Sequence, residues 1–417
     1  EMRESDWSSD VCSSDLLFYL KIETLFKEKK RGFLIFQKKV MIEKTNNYLR
    51  DEQMKKRIVL LVAVATLGLS LSACSKKQAT TSSDQPEIAA GMRSDPYRQE
   101  EFLLGTYTRL SVYNEGKKEA LTPAFAKMRE LGDKITINES SSEIDAINEK
   151  AGIEPVVVSA DVYDLVKTAK EYSVQSKGAF NLVIGAITQL WRIGFDDARK
   201  PSQAEIDEAL TKLDYNKVQL NDEAKSVYLE EPGMIIDLGA IAKGYIADEV
   251  ADVLKKEGVT SGIVDLGGNI LVIGHSYRGD DKPWNVGIQD PNDARGTVIG
   301  SVEVTDKTVV TSGIYERYLE LDGVKYHHLF DTKTGYPVDN DLASVSVITE
   351  HSMDGDALTT LIFAKGLEEG IKFVEEQATT GTQAIFITHE GKVYVTKGLK
   401  ENFKLNPDSE YQMAEEE

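Results

Sequence analysis

The order of apolar and polar positions predicts a folded body of interleaved helices and strands over residues 100–406. Apolar residues spaced three and four apart predict helices, whereas strict alternation predicts strands. The predicted helices cover residues 117–134, 160–177, 240–257 and 353–377 (broken near Gly366), and two more begin at the capping signatures of residues 140–143 and 202–205. The predicted strands include 102–114 and 234–237, and hairpins turn at 221–222, 322–323 and 390–391. Because strands and helices interleave without a regular strand–helix–strand order, we expect a single domain of the α+β class.

The segment from Met54 to residue 99 has the pattern of an export signal. Met54 is followed by three basic residues, an apolar run over 58–71 and the sequence Leu-Ser-Ala-Cys, which ends at Cys74. This order is typical of a signal peptide, and the run is shorter than the roughly 20 residues of a membrane span. The last four residues resemble a bacterial lipobox. We therefore expect a lipoprotein signal peptide at 54–73, a lipid on Cys74 and a flexible tether over 74–99. A short signal anchor with an incidental cysteine is the alternative.

The two ends of the chain receive no function. Residues 6–16 resemble the translation of a sequencing-adapter oligonucleotide. We interpret residues 1–53 as an artefactual or upstream segment and expect it to be disordered, whereas a natural Ser- and Asp-rich tail is the alternative. Residues 407–417 are predicted to form an acidic tail.

Composition and charge narrow the range of functions. The hydrophobic fraction of 41% is ample for a core. The formal net charge of −20 disfavours nucleic acid as a partner, because phosphate backbones are bound by clustered Lys and Arg. A phosphate-bearing ligand is still compatible with this charge, since a bound cation can mediate the contact. Cys12 lies in the artefactual segment and Cys74 is predicted to be lipidated, so we expect neither a disulfide nor a thiol nucleophile in the body.

The first candidate for chemistry is residues 236–245, where a predicted strand runs through small residues into a helix. Free backbone N–H groups at such a turn, with the helix dipole, can bind an anion. Asp237 at the strand end could bind a hydroxyl or a base edge, and Lys243 could reach a phosphate. The alternative is that the small residues serve helix–sheet packing and that Asp237 caps the helix.

A second acidic turn lies at residues 264–270, where Asp265 precedes two glycines. A tight turn between two core strands accounts for most of this pattern. Asp265 is therefore as well explained by structure as by function.

The third candidate is His328, which is followed by the Thr-Gly-Tyr-Pro turn at 334–337. Histidine changes its charge near neutral pH, so a rigidly held histidine can serve as a general base. Taken alone, however, a histidine in a strand is more often packed and hydrogen-bonded than catalytic.

The fourth candidate is the pair Asp356 and Thr360. The two residues are four apart, so on a helix they share one face. Two oxygen ligands on one face suit Mg²⁺, which uses few protein ligands and completes its shell with water and substrate phosphate. A helix start capped by Asp354, with Asp356 favouring the helix dipole, is the alternative, but it gives no reason for Thr360.

In this order, the motifs resemble the ApbE family of flavin transferases over residues 100–400. The matching segments are Gly105-Thr106-Tyr107, Ser142-Glu143-Ile144 with Asn148, Gly178-Ala179-Phe180-Asn181 with Gly185 and Trp191, then residues 237–245, 265–269, 312–317 and the His328 segment. The resemblance implies an ApbE-like, T-fold-related domain. It also implies Mg²⁺-dependent transfer of FMN from FAD to a Thr or Ser hydroxyl of an acceptor flavoprotein, with release of AMP.

The same resemblance implies a role for individual residues. His328 would be the catalytic base. The implied Mg²⁺ ligands are Asp356, Thr360 and the backbone carbonyl of Ala240. The implied FAD contacts are Leu104, Asn138, Trp191, Arg192, Ile193, Asp237, Lys243 and Leu329. The implied acceptor is a quinone-reductase subunit or a flavoprotein of extracellular electron transfer, reached from a lipid anchor on the outer side of the cell membrane.

Three segments depart from the family pattern. Thr332 stands where the family has proline, which is expected to soften the turn after His328. Residues 191–194 read Trp-Arg-Ile-Gly in place of Trp-Gly-Phe-Gly. Asn138 occupies a position often filled by tyrosine and leaves the site more open, so we expect some hydrolysis of FAD to FMN and AMP as well.

Two functions of other classes compete with the transferase. A non-catalytic FAD-binding lipoprotein would keep the flavin pocket but need neither His328 nor the metal ligands. A generic solute-binding lipoprotein would share the lipobox and the tether, but it leaves the ordered motifs unexplained.

Overall fold

The computed structural model of the chain describes residues 88–137, 141–279, 281–376 and 381–414. Residues 1–53, the signal peptide at 54–73, Cys74 and Asn138 therefore lie outside the described residues. Within these ranges, no helix is both long and apolar enough to cross a bilayer.

The folded body begins earlier than the sequence suggested. Strand β1 (Met92–Leu103) pairs antiparallel with β2 (Thr106–Asn114), and Met92 faces Asn114. The predicted tether at 74–99 is thus wrong from residue 92 onward, since these residues form a sheet edge. The single strand predicted over 102–114 is wrong for the same reason. A two-residue turn interrupts it, with Leu104 at φ +55° and Gly105 at φ +69°.

The helices follow the predicted amphipathic segments closely. In the described part of the chain they are α1 (Leu121–Ile135), α2 (Glu143–Glu149), α3 (Ala160–Gln175), α4 (Gly185–Trp191), α5 (Gln203–Leu210), α6 (Ala242–Lys256) and α7 (Ser352–Glu376). The capping box of Ser202 and Glu205 at α5 is confirmed. The predicted break in α7 is also confirmed, because Gly366 leaves helical geometry at φ +76°. At α2 the capping residue is Ser142, which accepts the N–H of Asp145.

Most strands join one large sheet. After β1 and β2 the strands are β3 (Val156–Val157), β4 (Val218–Asn221), β5 (Ser226–Leu229), β6 (Gly262–Leu266), β7 (Asn269–Ile273), β8 (Trp284–Gln289), β9 (Val298–Val304), β10 (Thr308–Gly313), β11 (Tyr318–Leu321), β12 (Val324–His327), β13 (Leu342–Thr349), β14 (Gln383–Thr388), β15 (Lys392–Val395), β16 (Phe403–Leu405) and β17 (Gln412–Met413). Within the described residues the large sheet has the order β1-β2-β6-β7-β10-β13-β14-β15-β17. Smaller sheets are β16-β9-β8, β3-β5-β4 and the ribbon β11-β12. The α+β class is confirmed.

The large sheet is covered on both faces. Leu271 of β7 packs with buried residues of α1 and α6, whereas its neighbour Val272 packs with Trp284 and Val302 of the small β16-β9-β8 sheet. This alternation along one strand is what a sheet buried on both sides requires. The motifs of the candidate site lie on the helix-covered side and in the loops next to it.

Two further predictions differ from the structure. Residues 234–237 are not a strand; Ile235 makes only an isolated bridge to Ile184. Residues 407–414 are not a free tail, because β17 extends the sheet and Tyr411, 8% exposed, donates its hydroxyl to Asp290 at 2.6 Å. The body therefore reaches beyond the predicted end at residue 406.

Candidate functional site

Asp237 is fixed in a turn between an extended segment and helix α6. The side chain of Asn148 holds this segment by accepting the N–H of Ile236 at 2.7 Å and donating to its carbonyl at 3.0 Å. The carboxylate of Asp237 accepts the N–H of Gly239 at 2.8 Å and the hydroxyl of Thr188 at 2.6 Å. The half-buried Asp237 is thereby held in one orientation by backbone and side chain. This fixed orientation of the carboxylate is compatible with a role in capping the turn and with a role as a hydrogen-bond acceptor for a ligand.

Helices α6 and α7 meet at a buried carboxylate. Asp356, 3% exposed, accepts the ammonium of Lys243 at 3.0 Å and the backbone N–H of Gly244 at 2.9 Å. The helices approach so closely here that a Cβ on Gly244 would lie 2.2 Å from the carbonyl oxygen of Ser352. We call Asp356, Lys243, Gly244 and the adjoining Ala240 the carboxylate corner.

The carboxylate corner offers oxygen ligands for a hard cation. In an ideal helix the N–H of Gly244 would bind the carbonyl of Ala240, but here it donates to Asp356. The carbonyl of Ala240 is thus spared that bond, and Thr360 lies one helical turn beyond Asp356. No cluster of three or more Asp, Glu, His or Cys side chains among the described residues could hold a metal ion. A donor set of one carboxylate, one carbonyl and one hydroxyl fits Mg²⁺, which retains waters and binds substrate phosphate.

His328 follows strand β12 and is held as a neutral base. Its ring Nδ1 and its backbone N–H both lie 3.2 Å from the carbonyl of Arg317. Since a carbonyl only accepts, Nδ1 carries the proton and Nε2 keeps its lone pair. Desolvation by the surrounding protein, followed by the charges of Arg317, His327 and Lys243, lowers the pKa of the half-buried His328 to about 3. The imidazole is therefore unprotonated at neutral pH.

The preceding residue, His327, is structural. Its Nδ1 accepts the N–H of Leu329 at 3.2 Å, so its Nε2 donates to the carbonyl of Val338 at 2.9 Å. Burial lowers the pKa of His327 as well. We call residues 327–337 the histidine turn.

Two hydrogen bonds, made by Trp191 and Thr332, connect the histidine turn to neighbouring segments. Trp191 is fully buried and donates its Nε1 to the carbonyl of Gly335 at 3.0 Å. Thr332, where the resemblance led us to expect a softer turn, donates its hydroxyl to the carbonyl of Gly178 at 2.8 Å. The expected softening is thus countered by a hydrogen bond to the end of α3. Leu329 is 7% exposed and packs in the core beside the turn.

The remaining predicted FAD contacts lie in two turns. Leu104 lies half-buried in the β1–β2 turn, and Ile193 is 6% exposed beside Trp191. Arg192 is half-buried, with its guanidinium bound to Asp197 at 2.7 Å. Their contact with FAD stays a prediction. Asp265 accepts the N–H of Gly267 at 3.0 Å, which accounts for it as a turn residue.

Some site residues escaped the sequence reasoning. Asn148 and Arg317 belong to quoted motifs but had no role, and Thr188 was not singled out. Asn148 and Thr188 order the Asp237 segment, whereas Arg317 places His328. Their position within or between the motifs was the one sequence feature that could have indicated a role. The residues they bind could not be predicted, because they are distant in the sequence.

Comparison with known proteins matches this arrangement to one family. The ApbE family model matches residues 104–386. A protein of Klebsiella pneumoniae named FAD:protein FMN transferase is 38% identical over 320 residues, covering 76% of this chain and 97% of its own length. A protein of Treponema pallidum with the same name is 37% identical over 325 residues, covering 74% and 89%.

Solved structures agree with the sequence relatives. The ApbE protein of Thermotoga maritima superposes with a TM-score of 0.67 at 30% identity, covering 73% of this chain and 97% of its own. The apo flavinyl transferase ApbE of Pseudomonas stutzeri superposes with a TM-score of 0.62 at 27% identity, covering 72% and 94%. The chain therefore belongs to the ApbE family.

Proposed function

We propose that this protein transfers FMN from FAD to a Thr or Ser hydroxyl of an acceptor flavoprotein and releases AMP. The observation that carries the proposal is His328, whose Nδ1 proton is fixed on the carbonyl of Arg317 while its Nε2 stays unprotonated. A neutral imidazole whose Nε2 lone pair is free can accept the proton of a hydroxyl. The relatives named FAD:protein FMN transferase support the same reaction.

The transfer reaction can be written with every bond and proton accounted for, with His328 as the base. The acceptor hydroxyl oxygen bonds to the FMN-side phosphorus of FAD, and its proton passes to Nε2 of His328. The bond between that phosphorus and the bridging oxygen breaks, so AMP leaves with the bridging oxygen and the electron pair. The product is a phosphoester-linked FMN. Asp237 and Lys243 would orient the substrate.

The carboxylate corner, together with Thr360 on the same helix, would hold Mg²⁺ through Asp356, the hydroxyl of Thr360 and the carbonyl of Ala240. When bound, the ion neutralises charge on the pyrophosphate. The ion pair between Lys243 and Asp356 at 3.0 Å is compatible with this assignment, because a positive charge already compensates the buried carboxylate in the protein without a metal.

The location of the protein is part of the proposal. The lipobox ending at Cys74 favours a lipid-anchored protein on the extracytoplasmic side of the membrane. From there it would modify a quinone-reductase subunit or a flavoprotein of extracellular electron transfer. Hydrolysis of FAD as a side reaction, inferred from Asn138, stays a prediction.

Intact-mass analysis tests the function. The full-length protein in detergent is mixed with FAD, Mg²⁺ and an acceptor that carries Thr in a Ser/Thr-Gly-Ala-Thr context. We expect the acceptor to gain the mass of one FMN, and the gain to disappear with EDTA. FAD that stays bound and intact, without AMP, would instead support the non-catalytic flavin-binding protein.

A further inference from the structure

Arg317 joins three separate parts of the site. Its side chain donates from Nη2 to the carbonyl of Gly105 at 3.3 Å. Its Cδ lies 3.0 Å from the position that a Cβ on Gly194 would take. Its backbone carbonyl accepts from His328. The guanidinium is therefore placed beside the base by contacts with two glycines.

The charge of Arg317 has no carboxylate partner. Arg192 and Arg199 each bind a carboxylate at 2.7 Å, but within the described ranges none lies within 4.0 Å of the exposed Arg317. A guanidinium has five N–H donors, and the bond to Gly105 uses one. Planar, unpaired guanidinium groups are well suited to bind phosphate oxygens with two parallel hydrogen bonds.

A second positive charge, from another element, influences His328. The charges of Arg317, before β11, and of Lys243, on α6, both act on the imidazole. The two glycines leave the guanidinium uncovered, and both have the positive φ values, +69° and +97°, that side chains rarely adopt. Two positive charges thus act on the base in a protein whose net charge is −20.

We propose that Arg317 binds a phosphoryl oxygen of the FAD pyrophosphate, as a second cationic contact beside Lys243. This inference rests on the proposed function, since it requires FAD as the ligand. It assigns to the segment 312–317 a part in substrate binding. Riboflavin has no phosphate and should not use this contact.

Binding measurements on the full-length protein in detergent test the role of Arg317. Dissociation constants for FAD and for riboflavin are measured with EDTA present, for the wild type, Arg317→Gln and Arg317→Lys. Arg199→Gln is the matched control, because it removes an exposed arginine that is paired with Glu205. We expect Arg317→Gln to weaken FAD binding about tenfold or more, since it removes a charge-assisted hydrogen bond. Riboflavin binding should change by less than about twofold, and Arg317→Lys should lie between wild type and Arg317→Gln because it keeps the charge but not the planar fork.

Three results would overturn the proposal. Equal FAD affinity of wild type and Arg317→Gln would show that the guanidinium does not touch the phosphates. Equal loss of FAD and riboflavin affinity would show that Arg317 acts only through its contacts with Gly105 and His328. A wild type that binds no FAD even with Mg²⁺ in place of EDTA would instead remove the proposed function, and this contact with it.

Discussion

The carboxylate corner and the histidine turn are held by different forces. In the corner, a carboxylate that is 3% exposed is bound by an ammonium and a backbone N–H. In the turn, neutral donors hold the backbone, with Trp191 bound to Gly335 and Thr332 bound to Gly178. The conformation of the corner thus depends on interactions between charged groups, whereas that of the turn depends on neutral hydrogen bonds.

This difference decides how each region responds to change. Removing one partner of a fully buried ion pair costs about 3–5 kcal/mol. The cost is smaller in the corner, because the side chain of Lys243 is 30% exposed to solvent. Removing one neutral hydrogen bond costs only about 0.5–1.5 kcal/mol. Changes in the corner should therefore alter cation binding and have large effects. Substitutions in the turn should have smaller effects, because they alter the position of His328 and not the binding of a cation.

The largest effect is expected from Asp356→Asn. The change removes the only side-chain carboxylate of the proposed metal site and leaves Lys243 unpaired. Because a metal ion contributes several kcal/mol of charge stabilisation, FMN transfer should fall about 10³-fold or more. The rate of adduct formation is measured by intact mass over a Mg²⁺ titration.

Asp354→Asn is the matched control for Asp356→Asn. Asp354 lies in the same helical turn but accepts the hydroxyl of Tyr172 at 2.6 Å. It should retain the dependence on Mg²⁺. If Asp356→Asn stays within about tenfold of wild type at every Mg²⁺ concentration, the corner does not hold the metal.

The next effect is expected from His328→Ala. Loss of a general base should lower transfer about 10²-fold or more. FAD binding should remain, because the corner and Asp237 are untouched, and added Mg²⁺ should not restore the rate. His389→Ala, which changes an exposed histidine, is the control. Wild-type transfer by His328→Ala would assign the proton to another group.

Local patterns were sufficient for much of the fold. Helix α6 was predicted at 240–257 and spans Ala242–Lys256, since its apolar residues form one stripe. The Asp-Gly hairpin at 322–323 was also predicted, and both residues have the positive φ that a type I′ turn requires. These features depend on neighbours in the sequence.

Other features depend on distant partners and left no local signal. Gly105 is compatible with a turn, but no local pattern indicated that Leu104 before it adopts φ +55°. Residues 234–237 look like a strand, but a side chain, Asn148, supplies the hydrogen bonds. In the site, Asp356 and Thr360 were predicted as a pair on one face. The pairing of Asp356 with Lys243, 113 residues away, was not.

A smaller effect is expected from Thr332→Val in the histidine turn. The change removes the hydrogen bond to Gly178, worth about 0.5–1.5 kcal/mol, and keeps the shape of the side chain. Transfer should fall about two- to tenfold through misalignment of His328, with unchanged Mg²⁺ affinity. Thr211→Val is the control, because that exposed hydroxyl also donates to a backbone carbonyl. A shift in Mg²⁺ affinity for Thr332→Val would show that the two regions are coupled.

The smallest effect is expected from pH. An ordinary histidine with a pKa near 6.5 would lose about tenfold of its neutral form by pH 5.5. Burial lowers the pKa of His328 to about 3, so transfer at saturating FAD and Mg²⁺ should stay level between pH 8 and pH 5. A decline in single-turnover rate with an apparent pKa near 6.5 would show that His328 is open to water when it acts.

The same pKa has a defined consequence for stability. Between pH 6.5 and pH 3 the unfolded chain binds a proton at His328 that the folded protein does not. The contribution of this group to stability is therefore complete above pH 6.5 and is lost as the pH falls toward 3. His328→Gln should lessen the fall in melting temperature on acidification relative to wild type, whereas His389→Gln should not. An equal fall in wild type and His328→Gln would mean that the histidine turn opens before the protein unfolds.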